Sequence, residues 1–299
     1  MAEDTFKSGF VSIVGRPNVG KSTLLNHLVG EKVVITSKKP QTTRNAIHGI
    51  LTTENYQIIF IDTPGIHKPR NKLGEYMVET AIKALREVDV VVFMSEIQKQ
   101  VGPGDLYIVE TLKKIKTPVI ALLNKKDLKN QDEIEESVSV FSNLMKFYRI
   151  IPISALFGIN CDKVTKTLVE LLPLGPKYYP ENMVTNQPEQ LIVAELIREK
   201  ILNLIEQEVP HGTAVEVVSF DTQENKDIIH ISANIYCEKE SHKGIIIGKG
   251  GRKLKEIGTQ ARQDIENLLG TKVFLDLWVK VSKNWREKEG MIRNLGYRV

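Results

Sequence analysis

A chain of 299 residues that is 41% hydrophobic can bury more than one core, and its length makes two domains the default expectation; a net charge of +4 is too mild to name a partner. No apolar run approaches the ~18 residues that cross a bilayer, and Met1-Ala2-Glu3-Asp4 starts no basic-then-apolar leader, so neither a membrane span nor an export signal is expected. Cys161 and Cys237 lie far apart and outside any metal-ligand spacing, which argues against a disulfide framework or a zinc site and for packed thiols in a reducing cytoplasm.

In chain order, residues 1–9 read as a tail and 10–172 as a first domain. The apolar run Phe10 to Val14 leads into Gly15-Arg16-Pro17-Asn18-Val19-Gly20-Lys21-Ser22, which is G-x-x-x-x-G-K-[ST] in the strand–loop–helix setting a phosphate-binding loop requires. Glycines let the backbone turn its N–H groups inward, Lys21 reaches the β- and γ-phosphates, and the Ser22 hydroxyl is a hard oxygen suited to Mg²⁺. Gly15, Asn18, Val19, Gly20, Lys21, Ser22 and Thr23 are therefore the expected cradle, at the positive end of a helix.

The polar stretch Glu31 to Arg44 shows no clear period and reads as a functional loop. Thr43, preferred over Thr42, is expected to add a second hydroxyl to Mg²⁺ and to meet the γ-phosphate, so that loss of the phosphate frees the loop. Strands Ala46 to Thr53 and Tyr56 to Ile61 deliver Asp62-Thr63-Pro64-Gly65, a D-x-x-G: Asp62 holds Mg²⁺ through water and Gly65 brings its N–H to the γ-phosphate.

Val88 to Met94 and Pro118 to Leu123 are continuous apolar runs typical of buried parallel strands, with a helical period from Leu106 to Ile115 between them. The second run ends in Asn124-Lys125-Lys126-Asp127. In this N-K-x-D the Asp127 carboxylate can accept from guanine N1–H and its 2-amino group together, so the expected nucleotide is GTP. After a helix from Glu133 to Phe147, the strand Arg149 to Ile153 brings Ser154-Ala155-Leu156, whose backbone can meet guanine O6. Asn160 to Leu172 then reads as a helix stopped by Pro173.

Together these motifs resemble the G proteins, and in particular the branch with a hydrophobic residue, here Ile66, where Ras-like proteins carry a water-orienting Gln. That likeness implies that Asn18 holds a K⁺ ion beside the transferring phosphate; His67 is a weaker substitute for the missing Gln. Lys21, Asn18, Thr43 and Gly65 are the expected catalytic set.

Residues 173–188 are rich in Pro and polar groups and read as a linker. Beyond it, 189–299 show the order α-β-β-α-α-β: helix to Gln207, strands Thr213 to Phe220 and Asp227 to Tyr236, a helix from Arg252 to Leu268 and a strand from Lys272 to Ser282. Acidic and basic residues balance over 186–299, so any RNA signal is local. Ile247-Gly248-Lys249-Gly250-Gly251 is a G-x-x-G with Lys243, Arg252, Lys253 and Lys255 around it, and it resembles the KH clamp for single-stranded RNA. Lys280 and Lys283 add charge near the C-terminal end.

One G domain joined to a KH domain is similar to the bacterial Era family through nearly the whole chain. The expected fold is an α/β P-loop GTPase, a mostly parallel sheet with helices on both faces, followed by a smaller α+β type II KH domain. The resemblance implies a cytoplasmic, monomeric GTPase, in part peripheral at the inner membrane face, that binds the 3′ end of 16S rRNA during 30S assembly. Mg²⁺ and K⁺ are the expected ions. The alternative, an RNA-binding scaffold that holds GTP without hydrolysing it, sits poorly with Ser22, Thr43 and Asp62, because a permanent ligand needs no γ-phosphate sensor.

Overall fold

The computed structural model describes residues 5–37, 39, 42–66, 69, 71–206, 208–222 and 228–297. It divides into two compact units, the first made of residues 1–34, 43–69 and 77–186 and the second of 35–42, 70–76 and 187–299.

The first unit holds β1 (Lys7–Gly15), α1 (Lys21–Val29), β2 (Ile47–Thr52), β3 (Tyr56–Asp62), β4 (Val90–Glu96), α3 (Pro103–Leu112), β5 (Val119–Asn124), α4 (Gln131–Ser142), β6 (Arg149–Pro152) and α5 (Cys161–Leu171). Helix α2 (Lys72–Lys83) follows β3. Strand order is β2-β3-β1-β4-β5-β6, with every pair parallel except β2 with β3. Both sheet faces are covered. Leu24, Leu25, Val164 and Leu168 pack with Ile13, Ile58, Phe60 and Val92, whereas Ile108, Leu112, Ile134 and Phe141 pack with Val91, Phe93 and Ala121. The continuous apolar runs β4 and β5 are needed for this, because a strand covered on both sides has no solvent face to make polar. Chain order reverses at β1, which lies between β3 and β4, so the open crevice forms at its C-terminal end, where Gly15 begins the phosphate loop.

Two stretches are more ordered than their sequences suggest. Val33, Val34 and Ile35 are buried although the Glu31 to Arg44 stretch has no period. The Asn26 carboxamide on α1 accounts for part of this, accepting from Val33 and Val34 N–H at 3.0 Å and donating to Val34 O at 2.8 Å, in place of a strand ladder. Residues 173–186, read as linker, belong to the first unit. Ser8 N donates to Pro173 O at 3.1 Å, Gln57 Oε1 accepts from Tyr178 and Tyr179 N–H at 2.7 and 3.0 Å, and Ile50 N donates to Val184 O at 2.8 Å. Irregular hydrogen bonds of this kind leave no periodic trace. Helix α2 had no sequence expectation at all.

The second unit contains α6 (Glu189–Leu204), β7 (Ala214–Thr222), β8 (Ile228–Cys237), α7 (Glu240–Ile247), α8 (Arg252–Leu269), β9 (Lys272–Val281) and α9 (Glu289–Asn294). Its sheet runs β7-β8-β9, the first pair antiparallel and the second parallel. Val193, Ile197 and Ile201 on α6 and Ile257, Ala261 and Ile265 on α8, each at a spacing of four, pack on Ile231, Ala233, Ile235 and Val279 of one sheet face. Ile35 joins that core. Its neighbours are also held: Thr36 N donates to Glu199 Oε1 at 2.9 Å, and the buried Arg198 guanidinium donates to Thr42 O. Cys161 and Cys237 are both buried free thiols.

Candidate functional site

The phosphate loop is shaped by what surrounds it. A Cβ on Gly15 would lie 2.2 Å from Met94 O and one on Gly20 2.4 Å from Asn124 Nδ2, so both positions need glycine. Gly20 and Asn18 are left-handed, with φ of 105° and 66°. Lys21 is 6% exposed, and its ammonium donates to Gly15 O at 3.2 Å and Arg16 O at 3.1 Å. Burial lowers its pKa to about 8, with the Asp62 charge opposing the shift.

Beyond the lysine, three oxygen-bearing side chains converge. Ser22 Oγ donates to Asp62 Oδ2 at 2.8 Å, Thr43 Oγ1 donates to the same oxygen at 3.1 Å, and the two hydroxyls are 3.0 Å apart. Asp62 is fully buried, its other oxygen, Oδ1, has no hydrogen-bond partner among the described residues, and desolvation raises its pKa. A buried carboxylate oxygen left over beside two hydroxyls is a hard donor set that fits Mg²⁺. Thr42 points elsewhere, its hydroxyl donating to Lys39 O at 2.7 Å. The structure thus brings Thr43, and not Thr42, to Ser22 and Asp62.

Gly65 packs so closely on the loop that a Cβ there would be 2.7 Å from Pro17 N. Ile66 is buried in the core and its N–H donates to Gly15 O at 3.3 Å, so it has no side-chain group to offer water. His67 lies outside the described residues.

The base-reading loops are tied to the phosphate loop by one side chain. Asn124 Nδ2 donates to Val19 O at 2.8 Å, and Asn124 Oδ1 accepts from Ala155 N–H at 2.9 Å. The Ala155 N–H is therefore engaged internally, and Asn124 acts as a strut. Lys125 is left-handed and forms an ion pair with Glu96, while Asp127 and Leu156 are exposed at the rim and Ser154 is buried. Sequence reasoning missed Asn26, Glu96 and a further support: Arg16 forms an ion pair with Asp105, Nε to Oδ2 2.8 Å, and that oxygen accepts a hydrogen bond from Gln98 Nε2 at 2.8 Å. A Cβ on Gly104 would sit 2.7 Å from Arg16 Cδ, so the first turn of α3 presses on the phosphate-loop arginine. None of these pairings has a local signal, since each joins residues from different elements.

In the second unit, Gly248, Gly250 and Gly251 all have positive φ, of 71°, 61° and 79°, and turn the chain from α7 into α8. Lys249, Gly250, Arg252 and Lys255 are exposed, Lys243 and Ile247 are half-buried, and no acidic residue occupies the first turn of α8. Lys253 packs its stem beneath Gly248 and its ammonium on Glu256 at 2.8 Å. Lys280 does not join this cluster. Its neighbour Val279 faces the helices, so Lys280 points from the opposite face of the sheet, and Lys283 follows the strand as an exposed residue.

The family described as 50S ribosome-binding GTPase matches residues 10–125, and the family described as KH domain matches 208–286. Among curated relatives, GTPase Era of Alkaliphilus metalliredigens is 57% identical, covering 98% of this chain and 99% of its own, and GTPase Era of Thermoanaerobacter pseudethanolicus is 56% identical, covering 98% and 97%. Among solved structures, a tyrosine-to-alanine variant of Aquifex aeolicus Era bound to GDP and AlF4⁻ matches with a TM-score of 0.95 at 41% identity, covering 98% of this chain and 100% of that one. An Era complex with MgGDPNP and nucleotides 1506–1542 of 16S ribosomal RNA matches with a TM-score of 0.95 at 42% identity and the same coverage. No helix among the described residues is long and apolar enough to cross a membrane. Matched by a GTPase family and a KH family in turn, and similar over nearly its whole length to curated and solved Era proteins, this chain belongs to the Era family of GTPases.

Proposed function

We propose that this GTPase is a nucleotide-controlled clamp for the single-stranded 3′ end of 16S rRNA, acting as a cytoplasmic monomer in 30S subunit assembly. One observation carries the reading: Thr43, in the loop that would feel loss of the γ-phosphate, shares a hydrogen-bonded cluster with Ser22 and Asp62. A fixed structural ligand would need no such arrangement. The Era relative solved with MgGDPNP and a 16S fragment supports the pairing of nucleotide and RNA on one chain.

The chain's own groups divide the work. Loop N–H groups and the Lys21 ammonium hold the phosphates, Asp127 reads the guanine edge, and the Gly65 N–H meets the γ-phosphate. Ser22 and Thr43 would hold Mg²⁺, with Asp62 through water, and the ion would neutralise charge on the β- and γ-oxygens. Ile66 cannot orient water, so the reading places K⁺ at Asn18, where a cation would stabilise charge that develops on the transferring phosphate. The turn at Gly248–Gly251 gives an RNA backbone close approach, and Lys243, Lys249, Arg252, Lys253, Lys255 and the helix terminus supply the positive field.

The test is an oligonucleotide matching the 3′ end of small-subunit rRNA, titrated by fluorescence anisotropy at two salt concentrations. In a Lys249→Asp/Gly250→Asp variant, two carboxylates meet the phosphates, and affinity should fall by about 10²-fold or more with circular dichroism unchanged. Aspartate tolerates the left-handed conformation of Gly250, and no atom lies within 4 Å of a Cβ there, so the fold should survive. Parent-like affinity in the folded variant would refute the clamp.

A further inference from the structure

Among the described residues of the second unit, α6 and α8 pack on one face of its sheet, the face of Ile231, Ala233, Ile235 and Val279. Along β9 the alternation sends Val273 and Val279 to the core and Lys272, Phe274, Asp276, Trp278 and Lys280 to the other face. There Phe274 is 58% and Trp278 60% exposed, unusually open for aromatic residues within a strand. The rings are nevertheless supported. The His230 ring, opposite Phe274 in the β8–β9 register, lies 5.2 Å from it, and the Trp278 indole N–H donates to Asp276 Oδ2 at 2.8 Å. Trp278 thus has its polar edge satisfied on the sheet while much of the ring remains open to solvent. Two residues outside each aromatic stand Lys272 and Lys280; Lys280 is exposed on this face, whereas the Lys272 ammonium lies 3.6 Å from Glu266 Oε2 of α8 and would exchange that pairing for a phosphate. Two further carboxylates lie on this face: Glu216, which accepts from the Tyr236 hydroxyl at 2.7 Å, and the exposed Asp221, opposite His230 in the β7–β8 register.

We propose that this face is a second RNA-contacting surface, on which a single strand leaving the Gly248–Gly251 clamp stacks bases on Phe274 and Trp278 while Lys272 and Lys280 take phosphates. The inference rests on the RNA-binding reading above. A KH clamp holds about four nucleotides, whereas the RNA of that reading is much longer, so further chain has to run over protein or solvent. Exposed aromatics on a sheet are a recurrent stacking platform for unpaired bases. At about 3.3 Å per residue the two rings are about 13 Å apart along the strand, separate stations for separate bases. A protein partner would favour contiguous apolar surface with charge at the rim, whereas here a carboxylate stands between the aromatics and lysines close the row.

The full chain can report this directly, because it has two tryptophans and Trp285 is completely buried, leaving Trp278 as the solvent-exposed emitter. The probes are a clamp-length pentanucleotide and a dodecanucleotide from the 3′ end of small-subunit rRNA, followed by anisotropy and tryptophan emission. The expected result is quenching by the longer RNA alone. Phe274→Ala and Trp278→Ala should each weaken the dodecanucleotide about five- to 150-fold and leave the pentanucleotide unchanged, with Trp278→Phe restoring most of the loss. Dodecanucleotide binding with unchanged emission and parent-like affinity in both alanine variants would overturn the inference and leave the face to a protein partner. If neither RNA binds the parent chain, the RNA-binding reading falls, and this inference with it.

Discussion

Lys21 makes nucleotide binding depend on pH in a direction the structure dictates. In the ligand-free site the ammonium is buried against loop carbonyls and its pKa is lowered to about 8, by desolvation first, with Asp62 partly offsetting the effect. Phosphates placed on the same ammonium favour its charged form and return the pKa to well above neutrality. Nucleotide binding must therefore take up protons as the pH approaches and passes 8. From pH 7 to 8.5 the charged fraction of the free site falls from about nine-tenths to about one quarter, so affinity should drop about fourfold over that range. At pH 8 about half a proton should be taken up per nucleotide bound. The assay is isothermal titration of GDP without Mg²⁺ in two buffers of different ionisation enthalpy, kept below the pH at which guanine N1–H itself ionises. Asp62→Asn removes the opposing charge and should move the fall in affinity to lower pH. Affinity flat across this window, with the same apparent enthalpy in both buffers, would refute the buried, depressed lysine.

Guanine selectivity should fail in Asp127→Asn, because an amide offers one acceptor and one donor where guanine presents two donors: GTP affinity should fall about 10²-fold and xanthosine triphosphate affinity should rise, as measured by competition with a fluorescent nucleotide. Hydrolysis should slow about 10²-fold when Na⁺ replaces K⁺ at constant ionic strength, and similarly in Asn18→Ala, with GTP affinity nearly unchanged; equal rates in the two salts would remove Asn18 from this role.

What the sequence determined by itself was the chemistry carried by contiguous residues. The phosphate loop, D-x-x-G, N-K-x-D and G-x-x-G each need particular backbone freedom or side-chain groups within a few positions, so their spacing speaks for itself, and the apolar runs β4 and β5 announce a sheet covered on both faces. The alternation in β9, with Val279 facing the core, also sets Lys280 on the other face of the sheet. The tertiary structure alone decided which threonine turns to Asp62, since Thr42 and Thr43 are chemically alike and only the folded chain sends one hydroxyl to Lys39 O and the other to Asp62 Oδ2. It alone showed Asn124 as a strut between loops, Asp105 beneath Arg16, and residues 173–186 held against β1, β2 and β3. Those contacts join residues from separate elements through single hydrogen bonds and ion pairs, and such pairings impose no period or composition on the sequence that could reveal them before the chain has folded.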